Sequence, residues 1–279
     1  MTLRRKWEEK FFHGLSAIVT LLIVLVLVHL VWTIIAKGAS SLSWKVVSEP
    51  PNGSFYFTGE GGGFLNAIAG SFYLAVSAVI LSFLVSLPVA LFLNIYLIKV
   101  PRLLTACRFF LDVLWGIPSI VYGAFGFLIL MYLGYRNSLG AGIITVATLI
   151  SPIMIRSMDE VLKTIPIGLQ EASYALGSTK TETAFKIFFK QAFPGLATAV
   201  LLAFGRGIGD AASVLFTAGF TDLVPHSLGD PTATLPLFIF YQLSSPSESV
   251  QNLAYAASIV LTLIILVVSI TARLLKPKR

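Results

Sequence analysis

The sequence predicts an all-α integral membrane protein with six transmembrane helices. Of its 279 residues, 56% are hydrophobic and only 12% are charged, about half the charged fraction of an ordinary soluble domain. Several apolar stretches are long enough to cross a hydrocarbon core of about 30 Å. The single cysteine, Cys107, excludes an intrachain disulfide and suggests no cysteine-based metal site.

Six apolar segments follow one another along the chain, separated by polar, basic or proline-rich stretches. The first is too long for a signal-peptide core and lacks a small-residue cleavage site, so we expect it to be retained. In the third, Gly116 and Pro118 predict a bent or partly unwound helix. The predicted spans are 14–36, 65–97, 106–133, 139–157, 195–220 and 252–275.

Lysine and arginine are distributed unevenly between the two sides of these spans. The side that holds both termini has 16 of the 20, the other side has three, and Arg206 lies within the fifth span. Because basic loops stay inside, both termini are predicted to be cytoplasmic. The net charge of +7 is thereby explained without a nucleic-acid partner. We expect a cytoplasmic segment at 1–13 and a single transmembrane domain at 14–279.

The longest charged segment, within 159–193, has helix signals that an ordinary loop does not need. Pro166 can begin a helix and Gly177 suits the left-handed position that ends one. Thr179 and Glu182 have capping-box spacing, which predicts a second helix. A plain solvated loop is the alternative, but a spacer between spans rarely carries two capped helices.

This segment resembles the EAA loop of ABC-importer permeases. The likeness lies in Glu171-Ala172-Ser173, then Gly177 after three residues and Ile187 after nine more, with serine replacing the second alanine and Lys190 replacing a common proline. It implies the ABC type I importer permease fold and docking of the loop into a separate ATP-hydrolysing subunit. The implied coupling residues are Glu171, Ala172, Ser173, Tyr174, Leu176 and Gly177.

Two opposite charges lie near the middle of the fifth span. Arg206 precedes Asp210 by four residues, so we expect both side chains on one helix face. A charge at that depth must be paired or face a polar cavity. One interpretation is a structural ion pair. The other gives Arg206 the task of attracting an oxyanion, while Asp210 orients it or accepts a proton from a protonated phosphate.

A finer resemblance, covering most of 60–275, is to phosphate-importer permeases of the PstA type. It rests on Arg206-x-x-Gly209-Asp210 and on the run 116–123 in the third span. Asp210, Ala211 and Ser213 stand where glutamate, threonine and proline are usual. The resemblance implies a phosphate path that includes Arg206, Gly209, Asp210 and Ser119.

The same resemblance implies the partners. They are a second permease subunit of the PstC type, two ATP-binding subunits and an external phosphate-binding protein, in a bacterial or archaeal cytoplasmic membrane. The chain has no Walker A pattern and no nucleophile–base constellation, so we expect no catalysis by it, and ATP and magnesium only in the partner ATPase. The alternatives are a permease for sulfate or molybdate, an ion-gradient-driven transporter or channel, and a structural scaffold.

Overall fold

The computed structural model describes residues 3–53, 55–59 and 61–275, and most of them are helical. Five helices are long and apolar enough to cross a membrane, and a bent pair supplies a sixth span. The all-helical class and the six predicted spans are confirmed at this level. The basic tail residues 276–279 lie outside the described residues, and the cytoplasmic position of the termini stays a prediction.

The helices divide into spanning and short ones. The spanning helices are α1 (Leu3–Gly38), α4 (Leu65–Ile95), the bent pair α5 (Pro101–Gly116) and α6 (Ser119–Tyr132), α7 (Leu139–Leu162), α10 (Phe189–Ile208) and α12 (Glu248–Leu275). The short ones are α2 (Trp44–Ser48), α3 (Phe55–Thr58), α8 (Ile167–Ala175), α9 (Lys180–Glu182) and α11 (Leu235–Leu243).

The centre of the bundle is the contact between α4 and α7. Small side chains let the two backbones approach closely, as is usual where helices pack in a bilayer. The Ser151 hydroxyl donates to the Ser82 hydroxyl at 3.1 Å and to the Ala147 carbonyl at 2.6 Å. Ile150 and Met154 are completely buried in the same contact. This pair forms the rigid frame on which the functional elements rest.

The third span is broken as the sequence predicts. Helices α5 and α6 meet at 90° across Ile117 and Pro118. A break leaves the last carbonyls of the first helix without intrahelical partners. The Tyr122 hydroxyl, on the first turn of α6, donates to the Leu114 carbonyl at 2.9 Å. The bend is therefore held by a side chain as well as caused by a proline.

The prediction that the fifth span, 195–220, is helical to residue 220 is wrong. The helix is continuous from Lys180 and stops at Ile208, so the following residues turn within the bundle. Glycines at 205, 207 and 209 weaken the helix here. The Thr217 carbonyl accepts from the Ser138 N–H at 2.9 Å, which satisfies backbone that leaves the helix inside the protein.

The first helix, α1, lies largely apart from the bundle. Its most apolar window has no buried residue. Contact with α12 is made at its end, where a Cβ on Gly38 would lie 2.6 Å from the Tyr255 carbonyl carbon. The Lys37 ammonium also lies 5.2 Å from the centre of the Tyr255 ring. Most of the apolar surface of α1 therefore faces lipid or another chain.

Candidate functional site

The end of α10 presents Arg206 outside the bundle and turns Asp210 into it. The side chain of Arg206 is 49% exposed and that of Asp210 is 3% exposed. Their closest atoms, Arg206 Nη2 and Asp210 Oδ1, are 3.8 Å apart, which is an ion pair but too long for a hydrogen bond. The expectation that both project from one helix face is wrong, because Asp210 follows the end of the helix.

The chief contact of Asp210 is with its own backbone turn. Its Oδ2 accepts a hydrogen bond from the Ser213 N–H at 2.8 Å, which is the geometry of a cap three residues before the donor. The turn continues through a hydrogen bond from the Leu215 N–H to the Ala211 carbonyl. Asp210 therefore holds the shape of the segment after Arg206, and among the described residues the guanidinium has only the 3.8 Å ion pair with Asp210.

Arg206 keeps its donors free. A guanidinium has five N–H groups, and no described residue accepts a hydrogen bond from Arg206. A half-exposed arginine in a membrane-spanning element must face polar surroundings rather than lipid. The exposed Gly209 beside it adds no side chain. The arrangement can bind an anion that approaches along the outer surface of this bundle.

Ser119 belongs to the helix that packs against the same turn. A Cβ on Gly123 would come within 2.7 Å of the Ser213 carbonyl oxygen and 2.9 Å of that of Ala212. Ser119 lies one turn earlier on the same face of α6. The two interruptions of helix, after Gly116 and after Ile208, thus belong to elements in direct contact, and all four predicted path residues lie on those elements.

The predicted coupling loop, 159–193, has the two capped helices that the sequence predicts. Helix α8 ends at Gly177, whose φ of +82° is the left-handed value expected there. The Glu182 N–H donates to Thr179 Oγ1 at 3.2 Å, and the Thr179 N–H donates to Glu182 Oε2 at 3.0 Å. Both halves of the capping box are present, so the turn between the helices is locally determined.

The six predicted coupling residues do not share one surface. Leu176 is 87% exposed, and Glu171, Ala172 and Gly177 are exposed with it. Ser173 is buried, although it is among the residues that the resemblance implies for docking. Its hydroxyl lies 2.9 Å from that of Thr183, so it joins the two helices instead.

Tyr174 is also partly withdrawn from the surface. Its hydroxyl accepts a hydrogen bond from the Gln170 side chain at 3.1 Å. The second helix of the loop runs without interruption into α10, through a π-helical segment at Thr183–Phe188. Pro194 and Gly195, at the predicted start of the fifth span, lie inside this helix, where a Cβ on Gly195 would meet Val161 of α7.

A buried carboxylate at the start of the predicted coupling loop, 159–193, is not among the residues predicted from the sequence. Asp159 is 0% exposed and accepts two hydrogen bonds from Arg108, at 2.8 and 3.0 Å. Arg156 donates to it at 2.6 Å and Asn94 at 2.9 Å. The Lys163 ammonium lies 3.1 Å away. The helical spacing of residues 156, 159 and 163 indicates that their charged side chains lie close together. No local pattern predicts the contribution of Arg108, which comes from α5.

Residues 86–279 match the family described as "Binding-protein-dependent transport system inner membrane component". A phosphate transport system permease protein PstA from Yersinia pestis is 35% identical over 259 residues, covering 91% of this chain and 84% of the relative. The PstA protein of Haemophilus influenzae is 32% identical, covering 97% and 94%.

Solved structures share the fold. A chain of a methionine ABC transporter in an inward-facing conformation has a TM-score of 0.62 at 20% identity, covering 76% of this chain and 94% of that one. A chain of a bacterial alginate ABC transporter, solved with a periplasmic protein that carries an alginate pentasaccharide, has a TM-score of 0.62 at 14% identity, covering 99% of both chains.

Proposed function

Since the chain belongs to the binding-protein-dependent transport system inner membrane components, and is an ABC importer permease, we propose that it carries inorganic phosphate inward across the cytoplasmic membrane. The observation that carries the proposal is Arg206, which is half exposed within a spanning helix and donates to no described residue. Its planar fork suits two oxygens of a tetrahedral oxyanion. The relatives from Yersinia pestis and Haemophilus influenzae are named for phosphate transport.

The path lies on the outer face of this bundle, because that is the direction in which Arg206 is exposed. A second wall must therefore come from another chain, which we assign to a homologous permease subunit of the PstC type. Helix α6 begins at Ser119, one helical turn before Gly123, which packs against the turn that follows Arg206. The free N–H groups and positive dipole of its first turn add a second attraction for the anion.

Two of the residues that depart from the usual PstA pattern, Asp210 and Ser213, hydrogen-bond to each other and so hold the turn after α10. Asp210 accepts from the N–H of Ser213, and a proline at 213 has no N–H to donate. The two replacements, aspartate at 210 and serine at 213, are thus compatible with each other, because one accepts the hydrogen bond that the other donates. They change how the turn is held and leave Arg206 unaltered, so they give no reason to prefer sulfate or molybdate.

Energy enters through the exposed end of α8. Glu171 and Leu176 dock on an ATP-hydrolysing subunit, which holds ATP and magnesium, while this chain binds no cofactor. From Lys180 to Ile208 the chain is one helix of 29 residues, about 43 Å long at 1.5 Å per residue. A displacement of α8 is thereby carried along one rigid element to Arg206. The outer loops and α11 meet an external phosphate-binding protein.

The test is ATP-dependent uptake by proteoliposomes that contain the chain with its co-expressed partner subunits. Phosphate, sulfate and molybdate are compared, and we expect phosphate alone to be accumulated. Uptake that persists without ATP and follows an ion gradient would refute the proposal. Faster uptake of sulfate or molybdate would reassign the substrate.

Coupling is tested separately with Glu171→Lys. Reversal of an exposed charge on the docking surface is expected to abolish ATP-driven uptake and weaken retention of the ATPase subunit, while the chain still folds. Glu9→Lys, at another exposed position on the predicted cytoplasmic side, is the matched control. Full uptake and normal subunit retention by the Glu171→Lys variant would contradict a coupling role for α8.

A further inference from the structure

A cavity of about 250 Å³ opens at the predicted cytoplasmic end of the bundle, between α4, α5 and the start of α8. Its lining is mostly apolar, with Leu104 and Phe188 among the walls. The ionisable side chains that line it are Arg108 and Lys163, both cationic. The cavity therefore has an apolar body and a positive polar end.

A groove between α4 and α5 lies next to this cavity. The groove has a volume of about 420 Å³ and is lined by Val89, Phe92, Leu93, Leu97, Cys107 and Phe110, among others. Leu93 lines both spaces. Phe92 is 48% exposed and Phe110 is 61% exposed, so the groove opens outward along spanning helices.

The two cations keep N–H donors that no described residue uses. Arg108 spends two of its five N–H groups on Asp159. Lys163 has two carboxylate partners, Asp159 at 3.1 Å and Glu160 at 2.6 Å, for three N–H groups. Their side chains are 25% and 32% exposed. A further anion can bind here without displacing Asp159.

We propose that this cavity and groove bind one anionic phospholipid of the predicted cytoplasmic leaflet. The headgroup phosphate accepts hydrogen bonds from Arg108 and Lys163, and an acyl chain lies in the groove against Phe92 and Phe110. The groove is the reason to choose a lipid over free phosphate, because a bare anion has no apolar surface to bury there. The lipid joins α5 to the residues that lead into α8.

The test is selectivity between spin-labelled lipids. The chain with its co-expressed subunits is placed in phosphatidylcholine nanodiscs that contain labelled phosphatidylglycerol or labelled phosphatidylcholine, and the immobilised fraction is measured. We expect phosphatidylglycerol to be favoured, and Lys163→Gln to lower that preference about five-fold, the usual effect of one cation near a membrane surface. Lys186→Gln, at an exposed lysine on the second coupling helix, is the matched control.

Two further measurements keep the outcome decisive if the Lys163 variant folds poorly. Cys107→Trp fills the groove without touching the cations, and we expect it to reduce the immobilised fraction of both lipids. Alkylation of Cys107, the sole cysteine of the chain, is expected to be slower with phosphatidylglycerol than with phosphatidylcholine alone.

Equal association of the two lipids, or equal effects of Lys163→Gln and Lys186→Gln, would overturn the proposal. Displacement of the labelled lipid by millimolar inorganic phosphate would assign the site to a free anion. Selectivity that is seen in the isolated chain and lost on addition of the partner subunits would assign the groove to a protein interface.

Discussion

Replacement of Arg206 by glutamine separates a transport role from a structural one. The ion pair with Asp210 spans 3.8 Å and the arginine side chain is 49% exposed. A pair of that length and exposure is worth at most about 1 kcal/mol. Asp210 also retains the hydrogen bond from the Ser213 N–H in the variant. We therefore expect the free energy of unfolding to fall by less than about 1 kcal/mol.

The effect on transport is expected to be much larger. Two charge-assisted hydrogen bonds to an oxyanion contribute about 1.5–3 kcal/mol each, and glutamine restores roughly one neutral bond of about 1 kcal/mol. The net loss of about 2–5 kcal/mol corresponds to a fall in uptake efficiency of at least about thirty-fold. The structure thus predicts a variant that folds normally and transports poorly.

The assay measures both quantities on one preparation. ATP-driven phosphate uptake is recorded in proteoliposomes, and the thermal unfolding midpoint is recorded in detergent. Arg136→Gln, at an exposed position in the turn between α6 and α7, controls for the loss of one positive charge. Uptake within two- to three-fold of the unaltered protein would refute an anion contact. Loss of stability together with uptake would favour a structural ion pair.

Three further predictions concern carboxylates. Asp210→Asn should change the free energy of unfolding by no more than about 0.5 kcal/mol, because an amide oxygen can still accept from the Ser213 N–H, whereas Asp210→Ala should lower it by about 1 kcal/mol. Equal unfolding midpoints for the two variants would contradict this capping role. Asp159→Asn should destabilise the chain by about 3 kcal/mol, the low end for a broken buried ion pair because its cationic partners are partly exposed. The more exposed Glu160→Gln is its control, expected to cost less than about 1 kcal/mol, and similar thermal shifts for both would count against the buried network. In the loop after α10, hydrogen bonds from the His226 N–H and from the N–H and side chain of Ser227 hold the pKa of Asp230 below its usual value. The hydrogen-exchange protection of these two backbone amides should therefore be complete above pH about 4. It should decline as the pH falls through the lowered pKa of Asp230. Asp230→Asn should abolish this pH dependence, and an unchanged profile would exclude Asp230 as its source.

Features governed by neighbouring residues were predictable from the chain. The capping box of Thr179 and Glu182 and the left-handed Gly177 depend on contacts within a few residues, and both are confirmed. The break at Pro118 is also local, since proline cannot continue the hydrogen-bond ladder of α5. Such features are visible in sequence because each residue's partner lies within a turn or two.

Features that depend on distant partners were not predictable. Apolar composition continues past Ile208, so hydropathy extends the fifth span to 220, whereas contacts of Thr217 and Gly123 with other elements stabilise a turn. The sequence pattern places Ser173 among the docking residues, whereas in the structure its hydroxyl is buried against that of Thr183.

The amino-acid sequence by itself determined the membrane class, the number of spans and the position of the two capped helices before α10, because hydropathy and caps act over short distances. It also marked Arg206 and Asp210 as costly charges that require a reason. The tertiary structure decided what each charge does. Because α10 ends between Arg206 and Asp210, the Asp210 side chain is buried and holds a backbone turn. The Arg206 side chain is half exposed, and its N–H groups donate to no described residue. Packing of α6 against that turn is a long-range contact that no local pattern encodes.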